Sequence, residues 1–527
     1  MRKFNSYGPV DEKKDFTVHR QNLIKTCCDN LIGDIDGGHY FTIWAPRQTG
    51  KTWLMRRVKE EIELKYPDKF VIGTMSVQNL IIPKDANEDE FLKWVPDLIR
   101  NTFSIKVDAV NRWNEWSNFF HKTDGLFNRP VLLFIDEFDK LPPNIIDNMV
   151  TLFREMYLNR ENYCLHGLAL IGVRAVLGVE SERGSPFNIQ RSLHIPNFIR
   201  DEVIDLYQQY QNESGQKIDN EVVEKIFEST RGQPGLVCWF GELLTEKYNP
   251  ETPKTIDINA WEDVFEAAVY KEWNNSVLNL IKKSKGKYQN YVIELFSTSN
   301  ISFAIDSDWC SYLYFNGIID EQINIDPSGK KNYVCRFSSP FVQRRLYNAL
   351  TMDIIGERMP ITTLNPLDDL SDVFENKDIN VPSLLARYKD YLKRLKARGI
   401  NPWKEQPRRT DLRLTEAVGH FHLYAWLLNA LQRRCVISPE FPTGNGRVDL
   451  HLKCKDKKGI IEVKSFIDAY QVKESIAQAA NYGKKTGLNE VTVAMFAPFD
   501  DETIIEKLST QEIIDGIKVT VVTIGWT

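Results

Sequence analysis

Between residues 40 and 175, short unbroken apolar runs alternate with segments whose apolar residues recur at helical spacing. The runs are YFTIWA (40–45), FVIGTMSV (70–77), PVLLFID (130–136) and CLHGLALIGV (164–173). Such runs, separated by helices, predict a parallel sheet covered on both faces. From about residue 200 to 285 the pattern is helical, with a break at RGQPG (231–235). Residues 286–350 predict a small helix-plus-hairpin unit. YVIELF and DWCSYLYF read as helices, IIDEQINID and YVCRFSS as strands joined through PSGKKN, and FVQRRLYNAL as a closing helix. The polar stretch 359–382, with its Pro and Asp residues, reads as a linker. Beyond it the pattern predicts a helix (411–434), three strands (435–441, 447–453, 459–464), a helix (468–486) and strands (490–499, 517–525). The expected fold is therefore α/β and multidomain, with no internal repeat.

Composition narrows this picture only in places. A length of 527 residues suggests roughly three or four domains. With 42% hydrophobic and 26% charged residues, the chain is neither disordered nor fibrous. The net charge of −5 does not select a partner. Eight scattered cysteines without a C-x-x-C pair argue against a zinc ribbon or a disulfide scaffold and fit a reducing cytosol. His420 and His422, two residues apart on a predicted helix, read as core or surface histidines rather than ligands. The N-terminal MRKFNSYGPVDEKKDF has no apolar signal core, and no run of about eighteen apolar residues occurs. The expectation is a soluble cytoplasmic protein with no membrane partner.

The chemistry begins at APRQTGKT, residues Ala45, Pro46, Arg47, Gln48, Thr49, Gly50, Lys51 and Thr52, which follows a predicted strand and opens the helix TWLMRRVKEEI. In that context loop amides and a helix N-terminus cradle phosphates, Lys51 reaches the β- and γ-phosphates, and Thr52 supplies a Mg²⁺ ligand. Ala45 stands where a first glycine is usual, while Gly50 is kept. A second half is present in VLLFIDEFDK (131–140), an apolar strand ending in Asp136 and Glu137. Asp136 would orient Mg²⁺ and Glu137 would polarise the attacking water. A chance G-K-T or an acidic helix cap is the bland alternative for either half, but together they point to ATP and Mg²⁺.

Residues 15–350 resemble AAA-like ATPases of the group near the STAND and origin-recognition ATPases. The resemblance is carried by APRQTGKT, LLFIDEFDKL, LIGVR (170–174), NIQRSLHIPNFIRDEV (188–203) and TRGQPGL (230–236). It implies a polar sensor at Arg174 and an arginine before the next strand at Arg191. Either would contact the γ-phosphate, in cis or across a homo-oligomer, or be a plain surface arginine. It also implies that the Gly232–Pro234 turn is the lid motif of STAND proteins rather than an ordinary helix start. The implied architecture is a P-loop parallel-sheet core (15–205), a helical lid (206–285) and a winged-helix-like unit (286–358) with Pro327-Ser328-Gly329 near the wing tip. That unit binds DNA or acts as a structural lid; Arg344 and Arg345 are its notable basic residues.

The last hundred residues pose a separate question. RVDLHLK and GIIEVK alternate with period two, so Asp449 opposes the Val448, Leu450 and Leu452 face, and Glu462 and Lys464 oppose the Ile461 and Val463 face. A hairpin would bring Asp449 beside Glu462 and Lys464, and two close carboxylates repel unless a cation lies between them. Glu416 near the start of the preceding helix can point to the same place, and Gln478 and Tyr482 share a face of the following helix at i, i+4. A solvated polar sheet face is the bland alternative.

Residues 411–527 resemble the PD-(D/E)XK nuclease superfamily, with its αβββαβ restriction-endonuclease-like core. By that resemblance Glu416, Asp449, Glu462, Lys464 and Gln478 are catalytic, with Tyr482 completing a Q-x-x-x-Y variant. Asp449, Glu462 and the backbone carbonyl of Val463 would hold Mg²⁺, with Mn²⁺ as an alternative. The literal "PD" is missing, since Val448 precedes Asp449. The helix and loop at 383–410, preceded by the linker 359–382, begin a basic stretch running from Arg387 to Arg413, a candidate phosphate grip. The function expected from both halves is an ATPase controlling a metal-dependent nuclease, with DNA favoured over RNA and prokaryotic defence as an analogy. The alternatives are a nucleotide-switched signalling or DNA-binding ATPase whose nuclease-like domain does not cleave, and a motor such as a helicase.

Overall fold

The computed structural model describes residues 1–34, 37–78, 87–172, 191–251, 254–296, 301–325, 329–355, 361–368, 370–375, 377–403, 416–440, 449–466 and 469–525. Two compact units emerge. One comprises Met1–Ser276 with Tyr314–Gly317, the other Val277–Leu313 with Ile318–Thr527.

In the first unit, α1 (Gln21–Ile32) leads into β1 (Tyr40–Trp44), α2 (Lys51–Lys65), β2 (Val71–Ser76), α3 (Glu88–Leu92), α4 (Val95–Phe103) and α5 (Trp113–Asn118). Then come β3 (Val131–Asp136), α6 (Pro143–Leu158), β4 (Leu165–Gly172) and β5 (Arg191–His194). The strands form one parallel sheet in the order β2-β3-β4-β1-β5. The unbroken apolar runs follow from burial on both faces. On β3, Val131, Leu133 and Ile135 join one core with Trp116 and Phe153, while Leu132 and Phe134 join another with Leu54 and Val58. Each such side chain, fully buried, contributes about 1.5–3 kcal/mol. The helices α7 (Arg200–Ser214), α8 (Asn220–Thr230), α9 (Pro234–Glu242) and α10 (Ile258–Tyr270) follow.

The four predicted runs thus become β1 to β4 with their ends trimmed. Arg191 opens β5 instead of preceding it, paired with Phe41.

The second unit contains α11 (Asn275–Ser284, beginning at the boundary), α12 (Gln289–Glu294), α13 (Asp308–Phe315) as far as Leu313, the hairpin β6 (Ile319–Ile325) and β7 (Lys331–Phe337), and α14 (Pro340–Ile355). After α15 (Ser371–Phe374) and α16 (Val381–Ala397) come α17 (Glu416–Leu431), β8 (Val436–Glu440), β9 (Asp449–Cys454), β10 (Lys457–Ser465), α18 (Ala469–Thr486) and β11 (Glu490–Ala497). A short α19 (Glu502–Leu508) and β12 (Gln511–Ile514), absent from the sequence expectation, precede β13 (Ile517–Gly525). The six-stranded sheet runs β12-β13-β11-β10-β9-β8, antiparallel through β8, β9 and β10 and parallel from β10 to β11 to β13. Helix α17 is apolar on every side and correspondingly buried: Phe421, Tyr424, Trp426 and Leu427 are all inaccessible.

Three expectations are corrected in this unit. The stretch 359–382 is not a free linker, because Leu370, Val373 and Ile379 are buried and the Ile379 amide donates to Lys458 O at 3.0 Å. Cys435 and Cys454 form a disulfide, against the cysteine reading: nineteen residues apart in sequence, they face each other where β8 meets β9. The basic helix α16 is largely paired within the chain. Arg387 bonds Asp368 (2.8 Å) and Asp372 (2.6 Å), Lys393 bonds Glu502 (2.7 Å), Arg394 lies 3.5 Å from Asp390, and Lys396 bonds Asp500. These carboxylates compete with any phosphate for the same cations, although the pairs of Lys393 and Lys396 are exposed and weak. Lys404, Arg408, Arg409 and Arg413 lie outside the described residues.

Candidate functional site

In the first unit the loop after β1 and the end of β3 open on one cavity of about 990 Å³, lined by Arg47 to Thr52, Asp136, Glu137 and Lys140. Ala45 and Pro46 do not line it; their carbonyls accept from Lys51 Nζ, each at 2.8 Å. Gly50 caps α2 at φ +91°, a conformation that favours glycine. Ala45 is fully buried, so a methyl group is accommodated where glycine is usual. The N-terminus of α2 presents unpaired amides to the cavity, an anion site by geometry.

Burial lowers the Lys51 pKa to about 8, against the pull of Glu137, Asp139 and Asp136. A half-buried ammonium within the field of three carboxylates suits a polyanion brought with a cation. Asp136 accepts from the Glu137 amide at 2.9 Å, and its pKa is raised by burial and then by Glu137. A carboxylate under that pressure gains from a nearby Mg²⁺, and with the Thr52 position the residues present fit the ion. Glu137 has φ +60°, rare for a non-glycine, and pairs with Lys140 at 3.0 Å. Arg174 lies outside the described residues, and Arg191 is described by its backbone alone.

The RGQPG break meets the phosphate loop directly. Gln233 Nε2 donates to Arg47 O at 3.1 Å, and the Gly235 amide donates to Gln48 O at 3.0 Å. Sequence reasoning missed the N-terminal arm, residues 1–18. Phe4 is buried against Tyr207 and Tyr210 (ring centres 4.9 and 5.6 Å), Glu12 accepts from Trp53 at 3.2 Å, and Ser6 to Val10 line the cavity. The only local signal was an isolated Phe before a Gly-Pro turn, which nothing tied to residues two hundred positions away.

In the second unit, the β9–β10 register sets Asp449 directly opposite Glu462. Glu462 is 1% exposed, and Lys464 Nζ lies 3.5 Å from its Oε1. Gln478 and Tyr482 are both half-buried on α18. His451 shares the Asp449 face of β9, two residues on, and its Nε2 lies 2.9 Å from the Tyr482 hydroxyl; the sequence reading passed over it. Glu416 and Asp449 are described by backbone position alone, and Val448 lies outside the described residues. Among the described residues no three His, Cys, Asp or Glu side chains cluster to hold a metal. Glu462 offers the carboxylate oxygens that Mg²⁺ prefers, an ion that usually keeps several waters and few protein ligands. His420 and His422 are buried core residues as one of the sequence readings had it, against Tyr347 and Tyr388.

A parallel sheet with a phosphate loop after β1 and an acidic pair ending β3 defines an ATP-binding P-loop ATPase. Residues 5–252 match the sequence family described as an AAA-like domain, so that part of the chain is an AAA-like P-loop ATPase domain. No curated relative matches the chain. Among solved structures, the Walker-type ATPase of Pyrococcus abyssi is 14% identical over 65% of this chain and 99% of that one, with a TM-score of 0.40. The Aeropyrum pernix ORC1 protein, solved in complex with DNA, is 14% identical over 64% and 93%, at 0.32. The Thermotoga maritima RuvB Holliday junction branch migration motor is 13% identical over 63% and 96%, at 0.33. Likenesses this distant carry no functional argument. Among the described residues no helix is long and apolar enough to cross a membrane.

Proposed function

We propose that the ATPase controls a metal-dependent nuclease housed in the C-terminal part of the chain. The observation that carries this reading is Glu462: a carboxylate 1% exposed, opposite the Asp449 position, with an ammonium 3.5 Å away. Burying a charged group is costly unless it is paired or holds a cation, and a sheet face meant only for solvent would not bury it. The element order α17, β8, β9, β10, α18, β11 supports the same reading.

In this scheme Asp449 and Glu462 hold Mg²⁺ or Mn²⁺, which would supply Lewis acidity toward a phosphodiester. Lys464 orients the attacking water, and Gln478 and Tyr482 line the approach from α18. In the ATPase, Lys51 binds the β- and γ-phosphates, Thr52 and Asp136 position Mg²⁺, and Glu137 accepts the proton of the attacking water. The segment 286–358, with α12, α13, the β6–β7 hairpin and α14, is a winged-helix-like element of this machine. DNA is the substrate favoured over RNA, and a homo-oligomer is the assembly in which Arg191 would act across a subunit boundary.

The test is a cleavage panel on linear DNA, plasmid, single-stranded DNA and RNA, with Mg²⁺ or Mn²⁺ and with ATP, ADP or a non-hydrolysable analogue. Metal-dependent cleavage that disappears in Glu462→Gln and Lys464→Met, and changes with nucleotide in the wild type but not in Lys51→Ala, is the expected outcome. No cleavage of any substrate sinks the nuclease reading. Metal-independent binding without cleavage would favour a nucleotide-switched binding protein instead.

A further inference from the structure

Gln48 bears two local costs that its neighbours in the phosphate loop do not share. Its φ is +58°, the left-handed region that favours glycine. Its Oε1 is buried and has no hydrogen-bond partner among the described residues. Strain and an unmet acceptor persist where the surroundings hold a residue in place, and they concentrate at functional sites.

The surroundings are specific. Gln48 Nε2 donates to Ser6 O of the N-terminal arm at 3.0 Å. Gln48 O accepts from the Gly235 amide at 3.0 Å, at the start of α9, and from Gln233 Nε2 at 3.4 Å. Ser6 Oγ in turn bonds Glu242 at the far end of α9. A Cβ on Gly235 would lie 2.6 Å from Gln48 Cβ, so glycine permits the close approach of α9 to the loop. The contacts close a circuit: loop to arm, arm to α9, α9 back to loop. Of its members, Ser6, Gln48 and Gly235 line the cavity.

We infer that Gln48 is a positioning residue of the ATPase site, tying the N-terminal arm and α9 to the phosphate loop so that both order around the bound nucleotide together. The inference rests on the ATP-binding reading of that cavity and adds to it a residue whose side chain is bonded to the N-terminal arm. The left-handed backbone aims the Gln48 carbonyl at α9 while the side chain reaches the arm. A glycine would adopt the same backbone but could not reach Ser6.

The contrast makes the test sharp. Gln48→Gly removes the strain, so a side chain with no role predicts an equal or higher Tm and unchanged nucleotide binding. The tie predicts instead that the Kd and KM for ATP rise about tenfold, the loss expected from one well-placed hydrogen bond and the order it maintains. Gln48→Met keeps the size, lacks the amide and should behave alike, which guards against a folding defect in either variant. Hydrogen exchange of residues 3–16 is the readout that a merely structural side chain would not move: ATP should slow it in the wild type and not in the variants. If Kd, KM and arm protection in both variants stay within about twofold of the wild type, the inference is wrong while the ATPase reading stands. If the wild type binds no ATP, both fall.

Discussion

Lowering the pH should weaken the second unit through His420 and His422. Both are fully enclosed on α17. His420 sits against Tyr347 with the Arg344 guanidinium nearby, and His422 against Tyr388, Tyr391 and Trp403. Burial pushes each imidazole down from 6.5 to about 3, with Arg344 adding to the effect at His420. The folded chain therefore binds fewer protons than the unfolded chain between those values. Stability is complete above the ordinary value and is lost as pH falls toward the folded one. At pH 5 the folded histidines are still neutral, so the loss depends only on the unfolded value: about 2 kcal/mol for each, about 4 kcal/mol for both.

The assay is urea titration read by hydrogen exchange of peptides from residues 416–431, which isolates this helix from the first unit. Exchange is compared at pH 7 and pH 5 after correction for the intrinsic rate. His420→Gln with His422→Gln keeps a neutral partner for each tyrosine hydroxyl and removes the titration, so its loss should fall below about 1 kcal/mol. A wild type that loses less than that, or a double variant that loses as much as the wild type, would refute the reasoning.

Three further outcomes are expected. Lys51→Ala should abolish ATP binding, whereas Glu137→Gln should bind ATP and release phosphate about 10²- to 10⁴-fold more slowly, the usual cost of losing a general base; labelled nucleotide checks both. Gly232→Ala should destabilise the first unit by more than about 1 kcal/mol, because Gly232 has φ +69° and its added Cβ would meet Phe198 O at 1.9 Å; thermal unfolding measures it. Since Lys393 and Lys396 are already paired with Glu502 and Asp500, replacing both by Gln should change the salt dependence of any DNA binding by less than about one unit of slope.

The comparison of sequence with structure divides along the range of the interaction. The phosphate loop was legible because its chemistry is local: eight residues, a strand before and a helix after. The β9–β10 hairpin was legible for the same reason, since period-two alternation and a short turn bring Asp449 opposite Glu462. The charge of α16 misled because composition counts lysines and arginines, whereas their partners, Glu502 and Asp500, arrive from over a hundred residues away.

By itself, then, the sequence determined which segments are buried strands, where phosphates can be cradled and which positions oppose each other across the β9–β10 hairpin, all consequences of spacing along one or two elements. Tertiary structure alone decided the strand order β2-β3-β4-β1-β5, the disulfide between Cys435 and Cys454, the His451–Tyr482 pair and the arm that closes on the nucleotide cavity. Gln48 shows the reason. As one letter of APRQTGKT it is an unremarked loop residue. Only when the chain folds back, bringing Ser6 from 42 positions away and Gln233 from 185, does it acquire partners, and no periodicity encodes contacts made across such distances.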